Sequence, residues 1–226
     1  MHSESGQPSD NHPENRVLLI EPHYLPTLEF FCTAIPFDEI RLECCAHYVK
    51  QGYRNRTIIN TANGLLVLSV PLSIKGNRIP LGAVTIDNTS GWARQHWRAI
   101  ESAYRKAPFF EHYETGLRTI LQSGTNLLFD LNQEILSFCL NSIGWKKKLS
   151  KTLTYGERPP INELADFRDI LRAREPWSAR NHYRPYPYYQ VFGNGFAGNL
   201  AVIDLIFCCG PSAAQILLKS AVNSSA

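Results

Sequence analysis

The chain of 226 residues has no continuous apolar run of the roughly 18 or more residues that a membrane-spanning helix requires, so no such span is expected. Its first fifteen residues carry three acids and no Lys or Arg, and they lack the basic and apolar regions of a secretory leader. They read as a disordered tail. The six cysteines form no CxxC pair, and their spacing does not suit a disulfide framework. Free thiols and no export pattern lead to the expectation of a cytoplasmic protein. Familiar catalytic signatures are missing too: there is no GxSxG, HExxH, GxxxxGK[ST] or GxGxxG. No cofactor is named by the sequence. The net charge of +3 is too small to indicate a nucleic-acid-binding protein, and no recognised module for that role is present.

What is present is enough apolar material, 44% of residues with 11% aromatic, for one sizeable core, and residues 16–226 read as a single domain. Val17-Leu18-Leu19-Ile20 is a short continuous apolar run, as for a strand buried on both faces. Leu28, Phe31 and Ile35 then recur at helical spacing behind Pro26-Thr27, and a second strand is expected near Glu39–Cys45. This strand–loop–helix–strand opening predicts an α/β fold of Rossmann-like start, in which ligands collect beyond the carboxyl end of the strands. Thr57–Asn60, Asn63-Gly64 and Leu65–Leu72 predict an added antiparallel hairpin, and Gly82–Asp87 another short strand. A helical second half follows from Ser90, through Phe109–Leu121 and Asn126–Ile143, with Gly144 as its cap. Lys146-Lys147-Lys148 reads as a solvated helix end, and residues 149–198 as loop-rich with one helix over Asn162–Arg174.

Charge is unevenly placed: residues 41–106 sum to +7, while residues 1–15 and 16–40 each sum to −3. The densest part is Tyr48–Arg56, where Lys50, Arg54 and Arg56 lie among two tyrosines and Gly52. Arginine forks match phosphate or carboxylate, so the loop suits an anion, although a solvated loop has the same composition. His23 sits just past the first strand, where a histidine can serve as acid or base near neutral pH, or simply pack on Tyr24. His96 falls among Arg94, Arg98 and Arg105 on one helix. Asp204 interrupts an apolar run and needs an arginine partner or an active-site role. Tyr186–Phe192 is dense in aromatics, as in a sugar or base pocket or a packed loop. The Cys44-Cys45 and Cys208-Cys209 pairs suit core packing or, less simply, metal thiolates.

Several blocks taken together resemble the WbqC-like family of bacterial proteins from surface-polysaccharide clusters, in its Bacteroides-type branch. They are Glu21-Pro22-His23-Tyr24-Leu25-Pro26, Tyr48–Leu72, Trp92–Tyr113, Asp166-Phe167-Arg168-Asp169, Pro187–Phe192 and Gly195–Pro211. The chain departs from the pattern at Glu21, Gly198 and Cys208, and residues 150–185 replace a longer segment of other branches. The resemblance implies O-antigen or related polysaccharide synthesis, with transfer of an amino-acid or acyl group onto a sugar. On that basis the substrate is an anionic small molecule such as a nucleotide-sugar. His23 would be the acid or base; Lys50, Arg54 and Arg56 would neutralise phosphate; Asn55 would orient the substrate. His96 and Tyr104 would line the far wall, and Asn199 matches as a further binding position. A non-catalytic binding or scaffold partner of glycan-biosynthesis enzymes is the alternative reading.

Overall fold

A computed structural model describes residues 16–74, 78–154, 156, 164–193 and 195–222. A parallel sheet of four short strands organises them: β1 (Val17–Ile20), β2 (Glu39–Leu42), β5 (Lys148–Lys151) and β6 (Leu164–Asp166), in the order β5-β2-β1-β6. All four residues of β1 are buried, which is why its sequence is continuously apolar rather than alternating. Helix α1 (Leu28–Ala34) connects β1 to β2, and all seven of its residues are buried. The hairpin β3 (Arg56–Thr61) and β4 (Gly64–Ser69) forms a separate two-stranded sheet, closed at the Thr61–Gly64 pair. The turn residues are thus Ala62-Asn63, and Gly64 follows with φ +96°, a conformation that favours glycine.

The rest is helical: α2 (Trp92–Tyr104), α3 (Phe110–Leu121), α4 (Leu128–Ile143), α5 (Val202–Cys209) and α6 (Ala213–Ser220). Val202–Ser220 has the length and hydropathy of a membrane span. In the fold it is broken by a short turn at Gly210–Ser212, and Val202–Cys208 is buried in the core against α2, α3 and α4. Gly210 has φ +48°, and an added Cβ would lie 2.5–2.7 Å from the Phe109 ring. Gly210→Ala is therefore expected to cost roughly 2–3 kcal/mol through overpacking and backbone strain, read as a lower urea midpoint at unchanged slope.

Three expectations need correction. The helix predicted over Asn162–Arg174 is, in its described part, strand β6 followed by turns; β1 has an open edge, and Leu164–Asp166 pairs with it, with Phe167 N–H bonding the Leu19 carbonyl at 2.8 Å. Gly82–Asp87 forms no strand: a 3-10 turn at Leu81–Ala83 leads to isolated bridges at Thr85 and Ile86. The lysine triplet is not simply solvated. Lys148 opens β5 and ion-pairs with Glu39 at 2.7 Å, and the Lys147 ammonium bonds the Ile35 and Phe37 carbonyls at the end of α1.

Candidate functional site

The neighbours of β1 are β2, reached at once through α1, and β6, reached last in the chain. The strand order therefore reverses at β1, and the crevice beyond the carboxyl ends of β1 and β6 is where an open α/β sheet binds ligands. Glu21-Pro22-His23 leaves β1 into that crevice, and Phe167–Asp169 leaves β6 into it. A cavity of about 330 Å³ lies there, lined among others by Glu21, His23, Lys50, Arg54, Asp169 and Arg174.

Three sets of contacts fix its floor. Tyr24 N–H donates to the Tyr53 carbonyl at 2.9 Å, tying the strand exit to the Tyr48–Arg56 loop. The buried Asn132 amide on α4 donates to the Arg54 carbonyl at 2.7 Å and to the Pro22 carbonyl at 3.4 Å. Arg54 Nη2 meets Glu21 at 2.7 Å and Asp169 at 2.9 Å, while Asp169 N–H donates to the same Glu21 oxygen. Gly52 leaves room for this guanidinium, since a Cβ there would stand 3.0 Å from it. Burial raises the Glu21 carboxyl above its ordinary range, against the opposing pull of Arg54.

Leu171–Glu175 forms the outer wall and Arg180 braces it. The Arg180 guanidinium bonds Glu29 of α1 in bidentate fashion, at 2.7 and 2.6 Å, and donates to the Arg172 and Glu175 carbonyls. Glu29 is fully buried and also accepts from Asn199 at 3.1 Å. Five non-glycine residues among those described have positive φ, and four of them, Leu25, Gln51, Asp169 and Asn199, lie in the segments that build this region. Such strain persists only where surrounding contacts hold it, and it gathers at ligand sites.

His23 is 3% exposed, packed between Phe30 and Tyr53 with ring centroids 5.0 and 5.2 Å away. Burial, and then the nearby Arg54 and Arg180 cations, depress its pKa to about 3. It is therefore neutral at physiological pH in the free protein. Its Nδ1 and the Nε of Arg54 are both buried without a hydrogen-bond partner.

Of the expected site residues, the fold brings His23, Lys50 and Arg54 to one cavity. Arg56 and Asn55 line an adjoining groove instead. The Asn55 amide is occupied within the loop, accepting from Tyr48 Oη at 3.0 Å and donating to the Val70 carbonyl at 2.9 Å. His96 and Tyr104 do not form a far wall of the cavity. Both sit on the buried face of α2, because four- and eight-residue spacing places them with Ile100 and Trp97 toward the core. His96 Nδ1 pairs with the Tyr24 hydroxyl at 2.8 Å, and the Tyr104 hydroxyl accepts from Asn60 N–H at 3.4 Å beside Phe207. Asn199 lies outside the cavity as well and holds the start of α1, its Oδ1 accepting from Glu29 N–H at 2.8 Å.

Nor does the basic excess of residues 41–106 converge on one place. Arg94 and Arg98 line a separate groove between α2 and α3, with Arg118. Asp204 has no arginine partner among the described residues: Tyr188 and Gln190 donate to it at 2.7 and 3.2 Å, and burial raises its pKa. The aromatic Tyr186–Phe192 segment thereby packs onto α5. Cys44 and Cys45 have sulfurs 3.6 Å apart, and no group of three metal-ligating residues occurs among the described residues. Sequence reasoning missed Glu21, Asp169, Asn132 and the Glu29–Arg180 pair as builders of the site. Glu21 and Asp169 carried a signal, each lying in one of the blocks noted above.

Fold and site define an α/β protein with a charged cavity at the switch point of a parallel sheet. Residues 21–180 match the model of the WbqC-like protein family, and the chain belongs to that family. It is also similar to an uncharacterised protein of Mycobacterium tuberculosis, 28% identical over 228 residues, covering 89% of this chain and 97% of the relative. That likeness gives no support to the narrower Bacteroides-type branch. No solved structure matches the chain.

Proposed function

We propose that the cavity binds a small anionic substrate, a nucleotide-sugar or related sugar phosphate, and is the seat of group transfer in bacterial surface-polysaccharide synthesis. The transferred unit in this reading is an amino-acid or acyl group. One observation carries it: His23 Nδ1 and Arg54 Nε are buried and unpartnered in side chains that line the same cavity. Buried polar atoms are almost always satisfied, and an orphaned pair at a sheet's switch point is accounted for by a ligand that completes it. A purely structural histidine would be bonded to the backbone here, which makes the scaffold alternative the weaker reading.

His23 acts as a base. As the acceptor's hydroxyl or amine forms its new bond to the carbonyl carbon of the transferred group, the bond from that carbon to the activated donor's leaving oxygen or sulfur breaks. The leaving group departs with that electron pair, and the neutral imidazole takes the proton the acceptor releases. A bound anion offsets Arg54 and Arg180, so its arrival raises the His23 pKa toward the operating pH. Ligand binding is then accompanied by proton uptake in the window between the free His23 pKa of about 3 and its raised value in the complex, seen there as a dependence of the apparent binding enthalpy on buffer ionisation enthalpy. A thermal-shift screen of nucleotide-sugars, sugar phosphates, nucleotides and amino acids tests the reading. Phosphate-bearing members are expected to raise Tm, and Lys50→Ala to abolish the rise without changing the unliganded Tm. A rise from amino acids alone, equal in the variant, would contradict it.

A further inference from the structure

Beside the cavity lies an open groove of about 590 Å³ bordered by Tyr48, Arg56, Val70 and Leu72, and the two compartments share Lys50 and Gln51. Gln51 is the partition. Its backbone is held at φ +65°; its carbonyl accepts from Arg56 Nη2 at 2.6 Å on the groove side, and its side-chain oxygen accepts from Arg174 on the cavity side. Charge is unevenly satisfied around this ridge. Arg54 is neutralised by Glu21 and Asp169, and Arg172 by Glu175. Lys50, Arg56 and Arg174 make no ion pair with a carboxylate among the described residues. Three cations without a carboxylate among the described residues therefore surround one partition, one on each side and one facing both.

We propose that the ligand of this site is a two-part phosphate ester. Its polar head lies in the smaller cavity and its bulkier, partly apolar remainder in the larger groove. Its phosphate or diphosphate crosses the Lys50–Gln51 ridge between Arg174 and Arg56. This rests on the reading of the cavity as the binding site. The cavity lies at the bottom of the ~300–1,000 Å³ range of ligand pockets, so it holds a single-ring head and not a complete conjugate. The groove supplies what a remainder needs: a tyrosine ring, Pro71 and Leu72 for apolar contact, and Arg56 for the near phosphate oxygens. Nucleoside and prenyl remainders share this chemistry, and binding distinguishes them.

Calorimetry on the full chain uses glucose 1-phosphate as the head probe, UMP and farnesyl phosphate as remainder probes, and UDP-glucose and farnesyl-diphosphate-linked glucose as joined probes. Because linked parts bind with a high effective concentration, one joined probe is expected to bind at least about tenfold tighter than the tighter of its parts. Arg174→Ala is expected to weaken that probe and glucose 1-phosphate at least about fivefold and to spare the remainder, while Arg56→Ala does the reverse. The side chains of both arginines hydrogen-bond only Gln51 among the described residues, so unchanged melting curves confirm that the variants fold. The proposal is overturned if no joined probe exceeds its parts, or if both substitutions weaken the same part. Should glucose 1-phosphate bind and protonate His23 while joined probes gain nothing, the two-part ligand fails and the anion site stands. If no probe binds, both fall.

Discussion

Arg180→Ala is expected to lower stability by about 3–5 kcal/mol, the typical cost of leaving a buried charge without its partner. Glu29 has no exposure at all, and its two oxygens face the Arg180 fork and the Asn199 amide. Truncation leaves a carboxylate in the core with one amide donor and no cation. For a chain of this size the loss corresponds to a fall in Tm of roughly 6–20 °C. The substitution also frees the Arg172 and Glu175 carbonyls, which the same guanidinium holds. The cavity wall should loosen, with faster amide exchange over residues 171–175. Arg180→Lys preserves the charge but not the fork and is expected to recover only part of the loss. Glu29→Gln with Arg180→Met removes both charges and should be milder than Arg180→Ala. A fall of under 1 kcal/mol for Arg180→Ala would show that Glu29 is solvated.

Arg54→Ala has the second large effect, and its signature is a pH dependence. Glu21 is already pushed up by burial, and the arginine is what opposes that push. Without it, the folded-state pKa rises further above the ordinary value of 4.5. A group raised on folding contributes stability below its unfolded pKa and loses it as pH rises through the folded one. The variant is therefore expected to be closest to wild type near pH 4.5 and to fall behind by about 3 kcal/mol or more by pH 8. Urea unfolding across that range checks it, and adding Glu21→Gln should flatten the difference. Ligand affinity should drop about tenfold or more at every pH, since a charge-assisted donor is lost from the cavity. Equal destabilisation at pH 5 and pH 8 would mean that Glu21 stays ionised without help.

The opening of the fold was legible because its signals are local. Val17–Ile20 is continuously apolar, Leu28, Phe31 and Ile35 share a helical face, and these alone place β1 and α1. Strand β6 was not, because three residues paired to a distant edge carry no periodicity of their own; β1 confers that structure on Leu164–Asp166. The site divides the same way. His23, Lys50 and Arg54 stood out as polar residues next to a strand end or within a basic loop, and they share a cavity. His96 and Tyr104 stood near other cations in sequence, but helical spacing turned them inward toward Tyr24 and Phe207. The partners Glu29 with Arg180 and Asn132 with the Arg54 carbonyl are separated by 151 and 78 residues, distances over which no spacing rule operates.

The most direct measurement follows the His23 imidazole by NMR across pH 3 to 8, in the free protein and with saturating glucose 1-phosphate, with His96→Gln used to separate the two buried rings. The free protein should show His23 neutral over nearly the whole range, with its midpoint near about 3. The ligand should raise that midpoint by at least about one unit, equivalent to ~1.4 kcal/mol of favourable interaction with the charged form. A free-protein midpoint near 6.5, or one unmoved by a phosphate ester that binds, would contradict a buried base awaiting an anion.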